Sequence, residues 1–315
     1  MTTLASTNIL VLETPVTTPP ISDYLSCLQI VMVNTTLPAN IGSAARAMHT
    51  MGLSRLSVVN PKLPIDESSV SHAAGGSRVL ANAHIAPTLE HAIADCQLVF
   101  AASSRSRHLP RPVVTPTQAA EIMLCFIDKQ NNINPDKKLD KPNIAILFGR
   151  EDRGLTNEEL SFADYHIQID ANPEYPVLNV ASAIQVIASF IFAYAQTHNA
   201  AADNTLINNT TINDTTINSA DMNNTNNNNH STNAPTAAPI LHTYLRQEWD
   251  EPAITQQQLQ QLTQRMTTLM VQQNLADSEH LKSLPSRLSR LGARLQLDQK
   301  EYQLLSALLA KLSKH

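Results

Sequence analysis

Ile144-Ala145-Ile146-Leu147-Phe148-Gly149-Arg150-Glu151-Asp152-Arg153-Gly154-Leu155 is the stretch that decides the fold of this chain. Five apolar residues in a row suit a short strand buried on both faces, the habit of parallel sheets. The strand runs into a turn holding two glycines five positions apart, in a chain with only 7 glycines in 315 residues. Glycine allows φ > 0 or a close backbone approach, so glycines this scarce mark places that need one or the other. Two arginines and two acids fill the turn, and Thr156 with Glu159 then has the spacing of a helix capping box. A strand, a charged glycine turn and a helix start make the edge at which α/β proteins build ligand sites. An ordinary loop with a solvated charge cluster has the same composition, so the stretch alone leaves both readings open.

To either side, short apolar runs alternate with helical patterns. Residues 28–33, 56–59, 98–101 and 165–169 read as further strands. Helices are expected over 41–51, stopped by Gly52, over 117–129 and over 179–196, with weaker patterns near 67–74 and 89–94. This alternation predicts an α/β domain, 27–197, with a mostly parallel sheet covered on both faces. Residues 1–26, rich in Thr and Pro, read as a disordered leader. Residues 198–239 are dominated by Asn, Thr and Ala, a composition that cannot bury enough apolar surface to offset chain entropy. They are expected to form a flexible linker. Residues 240–315 carry leucines at three- and four-residue spacing and read as a small all-helical domain.

A 43% hydrophobic and 16% charged composition is that of a globular chain with ample core material. The net charge of −5 argues against a generally sticky nucleic-acid binder but leaves room for a local basic patch. The 3 cysteines, Cys27, Cys96 and Cys125, lack metal-type spacing and suit a reducing compartment. No Lys or Arg precedes Arg46, which removes the charged start of a secretory signal. No uninterrupted apolar run reaches the roughly 18 residues of a membrane span. A cytoplasmic protein with no membrane partner is therefore expected. The 11 histidines show no ligand spacing, so no metal is expected, and the glycine signatures of dinucleotide and phosphate loops are missing.

Three further blocks stand at strand ends. Asn34-Thr35-Thr36-Leu37-Pro38-Ala39-Asn40-Ile41-Gly42-Ser43-Ala44-Ala45-Arg46 joins the first strand to the first helix. Asn40 suits a helix cap, and Gly42 leaves a first turn open enough for an anion. Arg46 has no acid within a turn, which fits either a ligand contact or an arginine lying over apolar residues. Ala102-Ser103-Ser104-Arg105-Ser106-Arg107-His108-Leu109-Pro110-Arg111 holds three arginines and no acid, the make-up of a phosphate contact or of a solvated basic loop. Ile169-Asp170-Ala171-Asn172-Pro173-Glu174-Tyr175-Pro176-Val177-Leu178-Asn179 is a proline-stiffened helix start.

In this order and spacing the blocks resemble the motifs of SPOUT-class (SpoU-type) RNA ribose 2′-O-methyltransferases, over about residues 28–197. Asn40 to Arg46 matches the first motif, Leu147 to Leu155 the second, and Leu178-Asn179-Val180-Ala181 the third. Arg105-Ser106-Arg107 before Leu109-Pro110, Leu155 to Leu160, and Ala171 to Tyr175 look like the bacterial TrmJ type, which methylates tRNA at anticodon-loop nucleotide 32. The resemblance implies a C-terminal trefoil knot in the α/β domain, a homodimer, tRNA as substrate and S-adenosylmethionine as methyl donor. It places the donor on Ala102, Ser103, Ser104, Gly149, Ile169, Pro176, Val177 and Leu178, and catalysis on Asn40, Arg46, Glu151 and Asn179. RNA contacts are expected from Arg105 and Arg107. Arg287, Arg290 and Arg294, spaced for one helix face, are expected to add more. Two positions depart from the pattern. Ala39 stands where the family commonly has Gly, and Pro176-Val177 stands where relatives carry two serines, which leaves only backbone contacts there. Related readings are a SpoU-type enzyme acting on ribosomal RNA or another tRNA position, and an inactive RNA-binding homologue.

Overall fold

The computed structural model describes residues 20–103, 111–133, 141–212, 246, 249–276, 281 and 284–313, with backbone alone for 200–212. Among these residues seven strands form one sheet: β1 Leu28–Val33, β2 Arg55–Val59, β3 His84–Ala86, β4 Leu98–Ala102, β5 Val113–Val114, β6 Ile144–Phe148 and β7 Tyr165–Ile167. Their order is β3-β2-β1-β6-β4-β7-β5, and every pairing is parallel. β1 and β6 are buried along their whole length, which explains why they read as unbroken apolar runs.

The two faces of β1 feed two cores. Leu28, Ile30 and Met32 pack against α2 (Pro38–Thr50), α6 (Pro116–Asn132) and α8 (Val180–Ile212). Val31 and Val33 face the other way, toward α5 (Leu89–Ile93) and α7 (Asn157–Leu160). The remaining elements before α8 are α1 (Ile21–Ser26), α3 (Glu67–Ala73), a 3₁₀ turn at Ala74–Gly76 and α4 (Ser77–Ala81). The parallel α/β sheet expected from the alternation is present, with a helical C-terminal region beyond it.

Several boundaries differ from the sequence reading. β3 and β5 were not foreseen, because three and two residues are too few to show a period. β7 stops at Ile167, although Gln168 still donates its N–H to the Val114 carbonyl at 3.0 Å. α1 lies inside the stretch read as leader and buries Tyr24 and Leu25 in the core. α2 begins at Pro38, before Asn40, because proline is pre-shaped for the first helical position and needs no N–H partner there. Leu37 is therefore the cap residue and Asn40 is not. α8 continues to Ile212, past the expected end at Gln196.

α8 also corrects the absence of a span-length apolar segment. Residues 180–199 are long and apolar enough to cross a membrane by length and composition, since the polar residues that interrupt them carry no formal charge. One face of this helix (Ile184, Ile187, Ala188, Ile191 and Ala195) is buried in the core beside α2 and α6, which is how a central helix of a doubly covered sheet looks.

The C-terminal helices are α9 (Gln256–Gln272), α10 (Leu284–Leu295) and α11 (Gln299–Leu312). α9 and α11 share a small core of Ile254, Leu259, Leu262 and Leu297, with Tyr302, Leu305 and Leu309 packed against it, and α10 approaches Leu259 at Gly292. The segment ahead of α9 docks on the α/β unit through polar contacts: Gln256 N–H to the Cys96 carbonyl at 2.8 Å and Ala253 N–H to Gln130 Oε1 at 2.8 Å. Gln256 Nε2 also reaches Asp164 Oδ2 at 3.4 Å.

Burial pushes the Asp164 carboxyl up to about 6, against the pull of Arg111 and a hydrogen bond from the Val99 N–H. A carboxyl whose folded-state pKa is raised holds its proton in the native state after the unfolded chain has lost it. Stability should therefore fall as pH rises from about 4 to about 6, by something on the order of 2 to 3 kcal/mol. Asp164→Asn should flatten that limb in melting curves recorded across the interval; an unchanged limb would assign it to other groups.

Candidate active site

The carboxyl ends of β4, β6 and β7 surround one cavity, and the turn after β6 forms its floor. Gly149 is a glycine there because the turn folds back on it. A Cβ at this position would lie 2.1 Å from the Gly154 carbonyl carbon and 2.2 Å from the Leu155 nitrogen. Gly154 takes φ +67 and closes the loop by donating its N–H to the Arg150 carbonyl at 2.9 Å. The second glycine thus serves a positive φ and the first a close approach of backbone to backbone. The capping box holds as read: Thr156 and Glu159 cap each other at the start of α7. Glu159 also accepts from Asn34 Nδ2 at 2.9 Å, which ties this turn to the end of β1.

Glu151 is held by the loop between β1 and α2. Its Oε2 accepts from the Thr36 hydroxyl at 2.5 Å and the Thr36 N–H at 3.1 Å. Its Oε1 accepts from Asn40 Nδ2 at 2.7 Å and, more weakly, from the Leu37 N–H at 3.4 Å. Asn40 Oδ1 in turn accepts from Asn179 Nδ2 at 3.1 Å, and Asn179 Oδ1 accepts from the Ala181 N–H at 2.9 Å in the first turn of α8. Three sequence-distant motifs are thereby joined in one chain of hydrogen bonds. Burial pushes the Glu151 carboxyl up, but the hydrogen bonds from Thr36 and Asn40 outweigh it and hold the group below its usual range. Glu151 is ionised at neutral pH, and its acceptor positions are taken by the β1–α2 loop, which it ties to the turn after β6.

Of the eight positions read as donor contacts, Ala102, Ser103, Gly149, Ile169, Pro176, Val177 and Leu178 all line this cavity. Ser104 lies outside the described residues, as do Arg105 and Arg107. Glu151 lines the cavity as well, whereas Asn40 and Asn179 reach it only through Glu151. Arg46 is exposed on α2 and does not line the cavity of its own chain. Gly42 does not open an anion site: a Cβ there would lie 2.0 Å from the Ser69 carbonyl oxygen, because α3 packs onto that turn.

The sequence reading missed Phe148, Ile167, Val180 and Ala183, which complete the apolar part of the wall. Val180 and Ala183 carry the readable signal, three residues apart at the start of a helix. Arg150, Asp152 and Arg153 also line the cavity: Arg150 Nε is buried without a hydrogen bond, while Arg153 Nε pairs with Asp152 at 2.9 Å at the exposed rim. Both arginines of the turn thus border the cavity, and they differ in that Arg153 is paired with a neighbouring acid.

The model of the SpoU rRNA Methylase family matches residues 27–189, just over half of the chain. The chain belongs to this family. Among its relatives, the tRNA (cytidine/uridine-2'-O-)-methyltransferase TrmJ of Escherichia coli O6:K15:H31 is 44% identical over 164 residues, covering 52% of this chain and 62% of that protein. The TrmJ of Shigella dysenteriae serotype 1 matches to the same extent, so the chain spans about 62% of the length of the curated relatives it matches. Among solved structures, TrmJ from Z. mobilis ZM4 superposes with TM-score 0.64 over 90% of this chain and 98% of that one, at 24% identity. At that identity the likeness shows the fold alone. A probable methyltransferase from Bordetella pertussis Tohama I is 34% identical with TM-score 0.50, covering 55% of this chain and 98% of its own. The SpoU match ends before α9, so the C-terminal helices lie outside it.

Proposed function

We propose that this SpoU-family chain transfers the methyl group of S-adenosylmethionine to a ribose 2′-hydroxyl of tRNA, at nucleotide 32 of the anticodon loop. The observation that carries the reading is the convergence of seven donor-contact positions, drawn from the ends of three separate strands and the segments that follow them, on one cavity at the carboxyl edge of the sheet. The wall suits such a donor: apolar side chains from Phe148, Ile167 and Ile169 for the adenosine, backbone turns at 149 and 176–178, and one unbonded arginine nitrogen at Arg150. The similar TrmJ proteins are named for cytidine and uridine, which supports a pyrimidine target.

The sulfonium supplies an activated methyl; the remaining chemistry is alignment of the hydroxyl and loss of its proton. Alignment alone can supply on the order of 7–11 kcal/mol. Glu151, Asn40 and Asn179 hold the floor of the site in place and move no proton. Arg46 is no resting base either, because a guanidinium offers only donors and no acceptor for a proton. Its role in this reading is to orient the ribose and its phosphate and to stabilise the developing alkoxide, while phosphate or water takes the proton. Arg46 is exposed, unpaired among the described residues and away from its own cavity, which favours delivery to the cavity of a second copy in a homodimer. The trefoil knot belongs to the same reading, with residues 168–179 passing beside the turn at 149–155.

Mapping 2′-O-methylation on bulk tRNA tests the substrate directly. Methylation at nucleotide 32 that depends on S-adenosylmethionine is expected; modification of ribosomal RNA or of another tRNA position instead would replace the assignment. Arg46→Lys keeps the charge but loses the planar fork, and activity should fall on the order of 100-fold while donor affinity measured by calorimetry stays near that of the parent. Equal activity in the two proteins would sink the role given to Arg46.

A further inference from the structure

A second cavity, about 720 Å³, lies between α10 and the β5–β7 edge of the sheet. Arg111 enters it from the segment before β5, Asp164 from the turn before β7, and Arg287, Arg290 and Arg294 from α10. Among the described residues Asp164 is the only acid in its wall, so four arginines face one carboxylate. That carboxylate already accepts from the Val99 N–H at 2.8 Å and from Gln256 Nε2 at 3.4 Å. Arg111 spends one Nη on the Ser161 carbonyl at 2.8 Å. Among the described residues no carboxylate stands within ion-pair distance of the three α10 arginines. Burial first, and then the charges of Arg290 and Arg294, work against the Arg111 guanidinium, with Asp164 alone supporting it. Positive groups held together in a half-enclosed space call for an anion.

We propose that this cavity is a phosphate-backbone site for RNA, in which Arg111 of the sheet edge and Arg290 and Arg294 of α10 clamp one strand between the two folded units. The inference rests on reading the chain as an RNA methylase. Arginines one turn apart, roughly 5–6 Å between Cβ atoms, meet successive phosphates of a strand better than they enclose one small ion. Arg111 gives the site what a row of arginines on one helix lacks, a wall opposite. RNA held there also fixes α10 against the catalytic sheet, so the C-terminal helices orient the substrate as well as hold it.

The test uses the full chain and bulk tRNA, with the dissociation constant measured between about 50 and 200 mM salt. Arg290→Ala combined with Arg294→Ala should weaken binding about tenfold or more at the low end and reduce the salt slope by about 2, one for each phosphate no longer neutralised. Arg111→Lys, which keeps a charge at the more buried position, should lose part of the affinity with less risk to the fold. Arg78→Ala, on α4 and outside both cavities, is the control for general charge and should leave the slope unchanged. A parental slope in the double variant, or an equal loss in Arg78→Ala, would overturn the site. Pyrophosphate separates the two sources of phosphate: a melting-temperature rise that needs Arg290 and Arg294, together with an unaltered tRNA slope, would make this a small-anion pocket and refute the RNA assignment. Methyl transfer by the parent chain is read separately. Its absence beside the expected slopes would fail the methylase reading and leave the RNA site standing.

Discussion

Gly149→Ala is expected to cost at least about 100-fold in donor affinity. The added Cβ would sit 2.1 and 2.2 Å from backbone atoms of Gly154 and Leu155, which cannot rotate away as a side-chain tip can. Overpacking typically costs about 1–3 kcal/mol, and a clash with backbone belongs at or above the top of that range. Relief requires the turn at 150–154 to lift, and this turn is the floor of the cavity. Calorimetric titration with S-adenosylmethionine, beside a melting curve to establish that the variant is folded, checks the result. Gly154→Ala makes the comparison sharp: it meets open space but keeps φ +67, so about 1–2 kcal/mol of local strain and a milder loss are expected. Parental donor affinity in Gly149→Ala would show that the cavity does not depend on the folded-back turn.

Glu151→Ala should produce the second large effect, and on turnover more than on the donor. It removes the acceptor for the Thr36 hydroxyl and N–H and for Asn40 Nδ2, leaving three part-buried donors without a partner. Each such orphaned donor costs on the order of 1–3 kcal/mol, shared between stability and site geometry. A fall in turnover of about 100- to 1,000-fold is expected, with a drop of several degrees in melting temperature. Because the carboxyl is held below its usual range, the parent should keep this geometry as pH falls to about 4.5 and lose it only below that. Unchanged turnover in Glu151→Ala would remove the anchor role.

Much of this arrangement was legible in the sequence because it rests on local chemistry. β1 and β6 are buried on both faces and so read as unbroken apolar runs. Thr156 and Glu159 cap α7 through contacts three residues apart, as their spacing foretold. What failed depends on contacts distant in sequence. Asn40 has the side chain of a cap, but Pro38 claims the helix start and Glu151, from another motif, claims the amide. Gly42 looks open in sequence and is covered by α3. β5 is two residues long and exists only because β7 lies beside it to receive it. The residues that line this cavity could be grouped only through the resemblance to known motifs, since no spacing rule brings Ala102, Gly149 and Val177 to one place.

The position of β6 has a consequence for how the chain reaches this state. β6 lies between β1 and β4, pairing Leu28 and Leu98 alike with Ile144, so the middle of the sheet is completed by a strand made after both of its neighbours. During synthesis β1 and β4 are available long before the strand that joins them, each with an apolar edge open to the wrong partner. Long-range pairings of this kind slow folding, since chain closure comes before the contacts that reward it. The same residues that form the floor of the cavity, directly after β6, therefore come into place with the strand that joins the two halves of the sheet, ahead of β7 alone, and a nascent chain cut short of Ile144 has neither a closed core nor a site.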